Sequence, residues 1–349
     1  MTNLRRHLAT GTLFLGVILA PAGAKTAPPA YLGAIITEAD TGRVLFEDNA
    51  DAVTPPASMT KLMTFAVLHD RLVNGTLKLA TPVTVTAADA DIGGTQVWLK
   101  DKETFTVEEL IYAMMIQSAN DAAQALGRTV AGSPAAFVEL MNAKARALGL
   151  THTTFRTAHG LPPVGRRVAD GDLSTPRDYA LLSRYLLLET DVTKYTGVRQ
   201  RKFGESQRTP DRVIDMNNHN NLLGKVAGVD GLKTGYTKGA GYCLAATAER
   251  NDRRLIVVVM GSPDSKTRDL KTIELIERGF ATQPASVAVV KAEATAGTPP
   301  ALAPEAPTIK PDKSPALAAR PEPVERAEQS STAKEPALIF RVIPPQKKP

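Results

Sequence analysis

The stretch Pro55-Pro56-Ala57-Ser58-Met59-Thr60-Lys61-Leu62-Met63 places a serine three residues before a lysine, directly after a proline pair. An apolar run at helical spacing follows, so the pattern predicts a helix that starts at Ser58 and ends near Asn74-Gly75. On such a helix Ser58 and Lys61 share one face, and an amine beside a hydroxyl can make the serine nucleophilic. Serine is also a favoured helix N-cap, and lysine is commonly solvated, so this stretch alone leaves both interpretations open.

Two further short motifs follow in order, Ser118-Ala119-Asn120 and Lys233-Thr234-Gly235. They fall at a predicted helix–helix turn and at the edge of a predicted strand, where polar side chains can gather. Each motif alone is a weak signal, and Ser118 could equally cap a helix. The three together, about 60 and about 115 residues apart, form the set known from serine β-lactamases and penicillin-binding proteins.

Hydrophobic periodicity and turn residues predict the remaining elements. Strands are predicted at residues 31–37, 43–47, 83–86, 241–249 and 254–261. Residues 229–236 lead into the strand at 241–249, and surface strands are predicted within 190–222. Helices are predicted at 110–117, in a second run after Asp121 that ends near residue 130, and at 135–148, 178–188 and 269–280. Thr106 and Glu109 predict a capping box before the first of them. The order predicts an α/β fold, an antiparallel sheet flanked by helices with a mainly helical subdomain.

Composition restricts the class of function. The net charge of +6 comes from basic residues that are scattered rather than clustered, so nucleic-acid binding is not expected. The single cysteine, Cys243, allows no intramolecular disulfide, and its apolar surroundings predict a buried strand. The five histidines show no ligand spacing, so no metal and no cofactor are expected.

The two ends of the chain differ from its middle. Residues 1–24 combine Arg5 and Arg6 with a short apolar run and a small-residue site, which predicts a cleaved export signal. Residues 283–349 hold 13 of the 25 prolines and few large apolar side chains, which predicts a disordered Pro/Ala-rich tail of unknown partner. The folded domain is therefore predicted at residues 25–282, and no membrane-anchoring helix is expected.

The three motifs and the segments around them resemble the D-alanyl-D-alanine carboxypeptidase family of low-molecular-mass penicillin-binding proteins, over most of residues 30–282. The matching segments are TGRVLFEDNAD (41–51), HGLP (159–162), VDGLKTG (229–235), AGYCLAATA (240–248) and RRLIVVVMG (253–261). The resemblance implies a β-lactamase/transpeptidase-like fold. It also implies peptidoglycan stem peptides ending in D-Ala-D-Ala as substrate, β-lactam antibiotics as covalent inhibitors, and a periplasmic or envelope location.

The resemblance also implies roles for individual residues. Ser58 would be acylated, Lys61 would take its proton, and Ser118 would pass a proton to the leaving amine. Burial and the neighbouring cation Lys233 would lower the pKa of Lys61 enough to make it a base. The substrate would be bound by Asn120, Lys233, Thr234, Gly235 and Arg268, and its oxyanion by the backbone N–H groups of Ser58 and Tyr236.

Three positions depart from the family pattern: Ala119 replaces a commoner glycine, Tyr236 a frequent histidine, and His219 a frequent arginine. Arg268 could also be a solvated residue at a helix start. Three other functions remain open: a DD-endopeptidase that cuts peptidoglycan crosslinks, a β-lactamase, and a non-catalytic peptidoglycan-binding module. A class A β-lactamase needs a deacylating glutamate between the second and third motifs, where the chain offers only Glu139, Glu189 and Glu205.

Overall fold

The computed structural model of the protein describes residues 29–162 and 170–282, so the predicted export signal and tail lie outside the described residues. The strands are β1 (Gly33–Glu38), β2 (Val44–Asp48), β3 (Pro82–Thr84), β4 (Thr104–Thr106), β5 (Gln200–Phe203), β6 (Ile214–Asn217), β7 (Val229–Thr237), β8 (Gly241–Arg250) and β9 (Arg253–Ser262). The helices are α1 (Lys61–Val73), α2 (Ala87–Ala90), α3 (Val107–Tyr112), α4 (Asn120–Ala131), α5 (Pro134–Ala147), α6 (Pro176–Glu189), α7 (Val192–Thr196) and α8 (Ser265–Ala281).

Five strands form one antiparallel sheet in the order β2-β1-β9-β8-β7. The early hairpin joins the late strands through β1 and β9, with Ile36 opposite Val257. The turn at Asn251 and Asp252 has both residues at positive φ, the geometry that a two-residue hairpin needs. Two small two-stranded sheets, β3-β4 and β5-β6, accompany the helices. The predicted α/β architecture is confirmed.

Both faces of the large sheet are covered. One face packs on α8, with Leu275 and Ile276 among its buried contacts, and the other packs on α6 and the helical part of the chain. This explains why β9 reads as an unbroken apolar run rather than an alternation. Cys243 lies in β8 and is fully buried, as predicted, and burial raises the pKa of its thiol to about 11.

The helical part surrounds α1. Every residue from Lys61 to Leu68 is buried, which is the pattern of a central helix rather than of a surface one. Helices α4, α5 and α6 all contact α1. No helix among residues 29–162 and 170–282 is both long and apolar enough to cross a lipid bilayer.

Several predicted boundaries were wrong. The α-helix begins at Lys61 rather than at Ser58, because residues Ala57–Thr60 form a 3-10 turn. Residues 110–117 are not one regular helix, since α3 ends at Tyr112 and a π-helical turn spans Ala113–Gln117. The region 190–222 contains surface strands, as predicted, which are β5 and β6. It also contains the short helix α7, whose Val192 and Tyr195 are buried.

Two predicted helix starts also differ. Thr106 caps α3 through the backbone N–H of Glu109, but the Glu109 carboxylate binds Gly204 N and Arg201 instead of closing a capping box. Helix α8 starts four residues earlier than predicted, because the Asp264 side chain caps it by accepting from Thr267 N.

Two glycines bring the Ala57–Thr60 turn into place. A Cβ at Gly235, in β7, would overlap the carbonyl oxygen of Pro56. A Cβ at Gly160, whose φ is +88°, would overlap the carbonyl oxygen of Ala57. The turn that carries Ser58 is thus held between the edge strand β7 and the loop around Gly160.

Replacing Gly160 by alanine should therefore disturb both stability and the site. Gly75→Ala is the matched control, since Gly75 also has positive φ (+75°) but a Cβ added there would have no atom within 4 Å. We expect the control to lose about 1 kcal/mol from backbone strain alone. Gly160→Ala should lose about 3 kcal/mol or more, because backbone must move.

Denaturant unfolding of both variants measures this difference. Displacement of Ser58 should also slow acylation of Gly160→Ala by a fluorescent β-lactam about 100-fold. Equal destabilisation of the two variants would contradict the packing role of Gly160.

Candidate active site

Ser58 lies in the 3-10 turn, and Lys61 is the first residue of α1. The Lys61 Nζ lies 3.1 Å from Ser58 Oγ, within hydrogen-bond reach. Neither Ser58 nor Thr60 caps the helix through its side chain, so the interpretation of Ser58 as an N-cap is wrong. The serine hydroxyl is left facing an amine.

The amine of Lys61 is fully buried, which excludes a solvated helix lysine. Its Nζ donates to Asn120 Oδ1 at 2.7 Å and to the backbone oxygen of His159 at 2.8 Å. Burial, followed by the charge of Lys233, holds the pKa of Lys61 well below its usual value, although Asp172 and Asp121 act in the opposite direction. A neutral amine in this position can accept the proton of Ser58.

Ser118 lies at a sharp corner between two helices. It ends the π-helical turn with a left-handed backbone, at φ 63°, and α4 then begins at Asn120. Ala119 occupies the N-cap position of α4, so Ser118 does not cap that helix. A single π-turn and a non-glycine residue at positive φ are both features that concentrate at functional sites.

Asn120 connects this corner to Lys61. Its Nδ2 donates to the carbonyl of Gly93 at 3.0 Å, which directs its Oδ1 to the lysine amine. Its backbone N–H donates to Thr95 O at 2.8 Å. The second motif is thus fixed against the loop 93–95 and brings its asparagine beside the first motif.

The third motif lies in β7, at one edge of the large sheet. Lys233 is buried and donates to the carbonyl of Thr234 at 3.1 Å. Burial, and then the nearby charge of Arg268, lowers the pKa of Lys233 to about 7. Gly235 was expected to let the substrate lie close to the strand. In the structure, the space that a Cβ of Gly235 would occupy is taken by the carbonyl oxygen of Pro56. The structure therefore gives a packing reason for this glycine.

Arg268 lies in the first turn of α8 and is only 4% exposed, so it is not a solvated residue. Its Nε and Nη2 both donate to Asp269 Oδ1, at 2.9 and 2.7 Å. Tyr236 follows the third motif and is 53% exposed. Its ring stacks on the ring of Tyr242, with the two centroids 4.1 Å apart.

His219 also faces this region, between two anchored asparagines. Asn218 donates to the carbonyls of Thr196 and Val198, and Asn220 donates to the carbonyl of Gly231 at the start of β7. Partial desolvation and then the charges of Lys233, Lys61 and Arg268 lower the pKa of His219 to about 4. Four basic groups thus converge on one site, which favours an anionic ligand.

The sequence did not reveal two groups that hold the segment from Ser58 to Lys61 in place. The first is the backbone oxygen of His159, which accepts from Lys61; residues 159–162 had been matched to the family pattern, but no role had been assigned to them. Buried Asp172 accepts from Thr60 Oγ1 at 2.7 Å and from the backbone of Arg156 at 2.6 Å, and burial raises its pKa. No local pattern could reveal this pairing, because Asp172 lies 112 residues from Thr60.

Among the described residues, no three His, Cys, Asp or Glu side chains are arranged to hold a metal ion. The groups that meet here are instead a hydroxyl beside a buried amine, a second serine and several cations. This set is suited to nucleophilic attack on a carbonyl next to a carboxylate.

The chain is similar to known proteins over most of its length. A family model described as D-alanyl-D-alanine carboxypeptidase matches residues 27–264. The D-alanyl-D-alanine carboxypeptidases DacC of Escherichia coli and DacF of Bacillus subtilis are 38% and 35% identical; the matches cover 80% and 77% of this chain and 70% of each relative. Penicillin-binding protein D2 of Listeria monocytogenes, solved with ampicillin bound, is similar with a TM-score of 0.63 and 33% identity, covering 72% of this chain and 98% of that one.

The pH dependence of acylation should show two limbs. The rate should rise with pH as Lys61 loses its proton, and fall above a pH of about 7 as Lys233 loses its charge. Arg268→Gln removes a cation that lowers the pKa of Lys233, so its alkaline limb should move to higher pH. The measurement is the second-order rate constant for a fluorescent β-lactam as a function of pH.

Lys271→Gln is the matched control, because Lys271 is a cation of the same helix that pairs with Glu274 and does not act on Lys233. The alkaline limb of its pH profile should lie at the same pH as in the unmodified protein. An unchanged limb in Arg268→Gln would contradict the electrostatic coupling between Arg268 and Lys233.

Proposed function

Because the chain belongs to the D-alanyl-D-alanine carboxypeptidase family, we propose that it removes the terminal D-alanine from peptidoglycan stem pentapeptides through an acyl-enzyme on Ser58. The observation that carries this proposal is the buried amine of Lys61, 3.1 Å from the Ser58 hydroxyl and held by Asn120 and the His159 carbonyl. A serine hydroxyl is a weak nucleophile at its own pKa and needs such a base.

Acylation begins when Ser58 Oγ attacks the carbonyl carbon of the penultimate D-alanine and its proton passes to neutral Lys61. The developing oxyanion accepts from the backbone N–H groups of Ser58 and Tyr236. Ser58 is the second residue of a 3-10 turn, where a backbone N–H has no partner within the turn. Tyr236 lies in the edge strand β7, half of whose backbone groups point away from β8.

Departure of the terminal D-alanine needs a proton on its amine. Ser118 delivers that proton, drawing on the protonated Lys61, and the peptide bond breaks to leave an ester on Ser58. Water then attacks the ester while Lys61 again accepts a proton. The bond between the acyl carbon and Ser58 Oγ breaks, Lys61 returns the proton to Ser58 Oγ, and the shortened peptide leaves with a free carboxylate. The π-helical turn and the left-handed backbone of Ser118 support this role, because such features concentrate at functional sites.

The carboxylate of the substrate accounts for the group of cations. Lys233 and Arg268 supply positive charge, and the Thr234 hydroxyl donates a hydrogen bond to the carboxylate. An anion placed there relieves the repulsion that holds down the pKa of Lys233. β-Lactam antibiotics, which carry a carboxylate next to a reactive amide, would acylate Ser58 by the same route.

The edge of β7 gives the substrate backbone a place to bind. β8 pairs with only one side of β7, so an extended stem peptide can add along the free side as a further strand. The enzyme would act on the peptidoglycan of the cell envelope after export. The predicted signal at residues 1–24 supports that location.

A DD-endopeptidase would use the same residues and remains the second candidate. A β-lactamase is not favoured, because Glu139, Glu189 and Glu205 are exposed, and within the described chain the Lys61 amine bonds to Ser58, Asn120 and His159 rather than to a glutamate. A non-catalytic binding module would have no need for a buried lysine beside a serine.

Two assays on the purified full-length protein test the proposal. A fluorescent penicillin should label the protein covalently, and D-alanine should be released from a stem pentapeptide. Ser58→Ala should abolish both, whereas Ser206→Ala, which changes an exposed serine, should leave both unchanged. Labelling that survives in Ser58→Ala would refute the assignment of Ser58 as the nucleophile. Cleavage of crosslinked dimers without D-alanine release would identify an endopeptidase.

A further inference from the structure

Trp98, the only tryptophan of the chain, is held in an unusual backbone conformation. Its φ is +54°, in the left-handed region that bulky residues rarely adopt, and the residue is 63% exposed. Burial therefore does not explain the residue, and glycine or asparagine would fit this backbone with less strain. Such outliers persist only where the surroundings impose them, and they concentrate at ligand sites.

Two buried charged side chains impose this conformation. Asp121 accepts from the N–H groups of Val97 at 3.3 Å and Leu99 at 3.0 Å, on either side of the tryptophan. Arg208 donates to the carbonyls of Val97 at 2.8 Å and Trp98 at 3.1 Å. Four backbone groups are thus fixed around one exposed indole ring.

The same loop is attached to the active site. Asn120 donates to the carbonyls of Gly93 and Thr95, and Asp121 is the next residue in α4. The Cα of Trp98 lies three residues beyond Thr95, so at most about 11 Å from it. The loop that carries the exposed ring is therefore bonded to Asn120, the residue that also accepts from the Lys61 amine.

The surroundings of Trp98 are polar. Lys100, Asp101 and Lys102 lie just after it and are exposed, and no other large exposed apolar side chain occurs at residues 93–103. A protein partner would need a wider apolar surface with several anchors. A single amphipathic ring in polar surroundings suits a single hydroxylated ring, whose C–H face packs on the indole while its hydroxyls stay hydrated.

We propose that Trp98 is a binding platform for a pyranose ring of the glycan strand to which the stem peptide is attached. This inference rests on the proposed function, because it takes the peptide end as bound at Ser58. Four extended residues between the scissile bond and the glycan span about 14 Å. That length carries the glycan beyond the catalytic turn, where a ring on the loop bonded to Asn120 can meet it.

Kinetics on two substrates test the platform. Trp98→Ala should raise KM for a disaccharide pentapeptide about 10-fold while leaving KM for the sugar-free pentapeptide unchanged. Trp98→Phe should retain part of the preference for the disaccharide pentapeptide over the sugar-free one, since it keeps an aromatic face. Acylation by a fluorescent penicillin should be equal in all three proteins, which checks that the site is intact. Equal loss on both substrates, or no loss on either, would overturn the proposal.

Direct binding gives a readout that does not require turnover. Because Trp98 is the only tryptophan, the intrinsic tryptophan fluorescence of the full-length protein reports this one ring. A peptide-free peptidoglycan tetrasaccharide should shift the emission saturably, and a gluconate solution of equal concentration should not. Absence of a saturable shift would overturn the platform even if D-alanine release is observed. A shift without D-alanine release would instead count against the proposed function alone.

Discussion

The burial of one amine, that of Lys61, constrains the arrangement of the whole site. An amine without water needs hydrogen-bond acceptors, and an unpaired buried charge would be very costly. The acceptors come from Asn120 and from the carbonyl of His159, which lie 59 and 98 residues away in the chain. The helical part must therefore be fully packed before the amine is satisfied. The same burial favours the neutral form of the amine, which is the form that can take the proton of Ser58.

Repulsion among cations is the second physical element of the site. The repulsion arises among four basic side chains, those of Lys61, Lys233, Arg268 and His219. Burial and this repulsion together lower the pKa of Lys61, Lys233 and His219. Asp269 offsets part of it by binding Arg268. An anion bound among these groups would reduce their repulsion, so a carboxylate would gain more binding free energy here than at an isolated cation.

The sequence predicted the fold where a local signal existed. Apolar runs indicated the central strands, and Asn251-Asp252 indicated their hairpin, because these depend on neighbouring residues. The first two motifs indicated that Ser58, Lys61 and Asn120 meet, although not how. The π-turn before Ser118, the 3-10 turn at Ser58 and the bond between Asp172 and Thr60 were not predictable, since each is imposed by tertiary contacts between distant segments. Gly235 was identified, but its packing against Pro56 was visible only in three dimensions.

The pairing of β1 with β9 has a consequence for how the chain acquires its structure. Gly33 lies opposite Met260, so the centre of the sheet joins residues from nearly opposite ends of the described domain. During synthesis β1 can pair only with β2 until β9 emerges, and its other edge stays open. Such non-local pairing slows folding, so the central sheet cannot be completed until almost the whole domain has been synthesised.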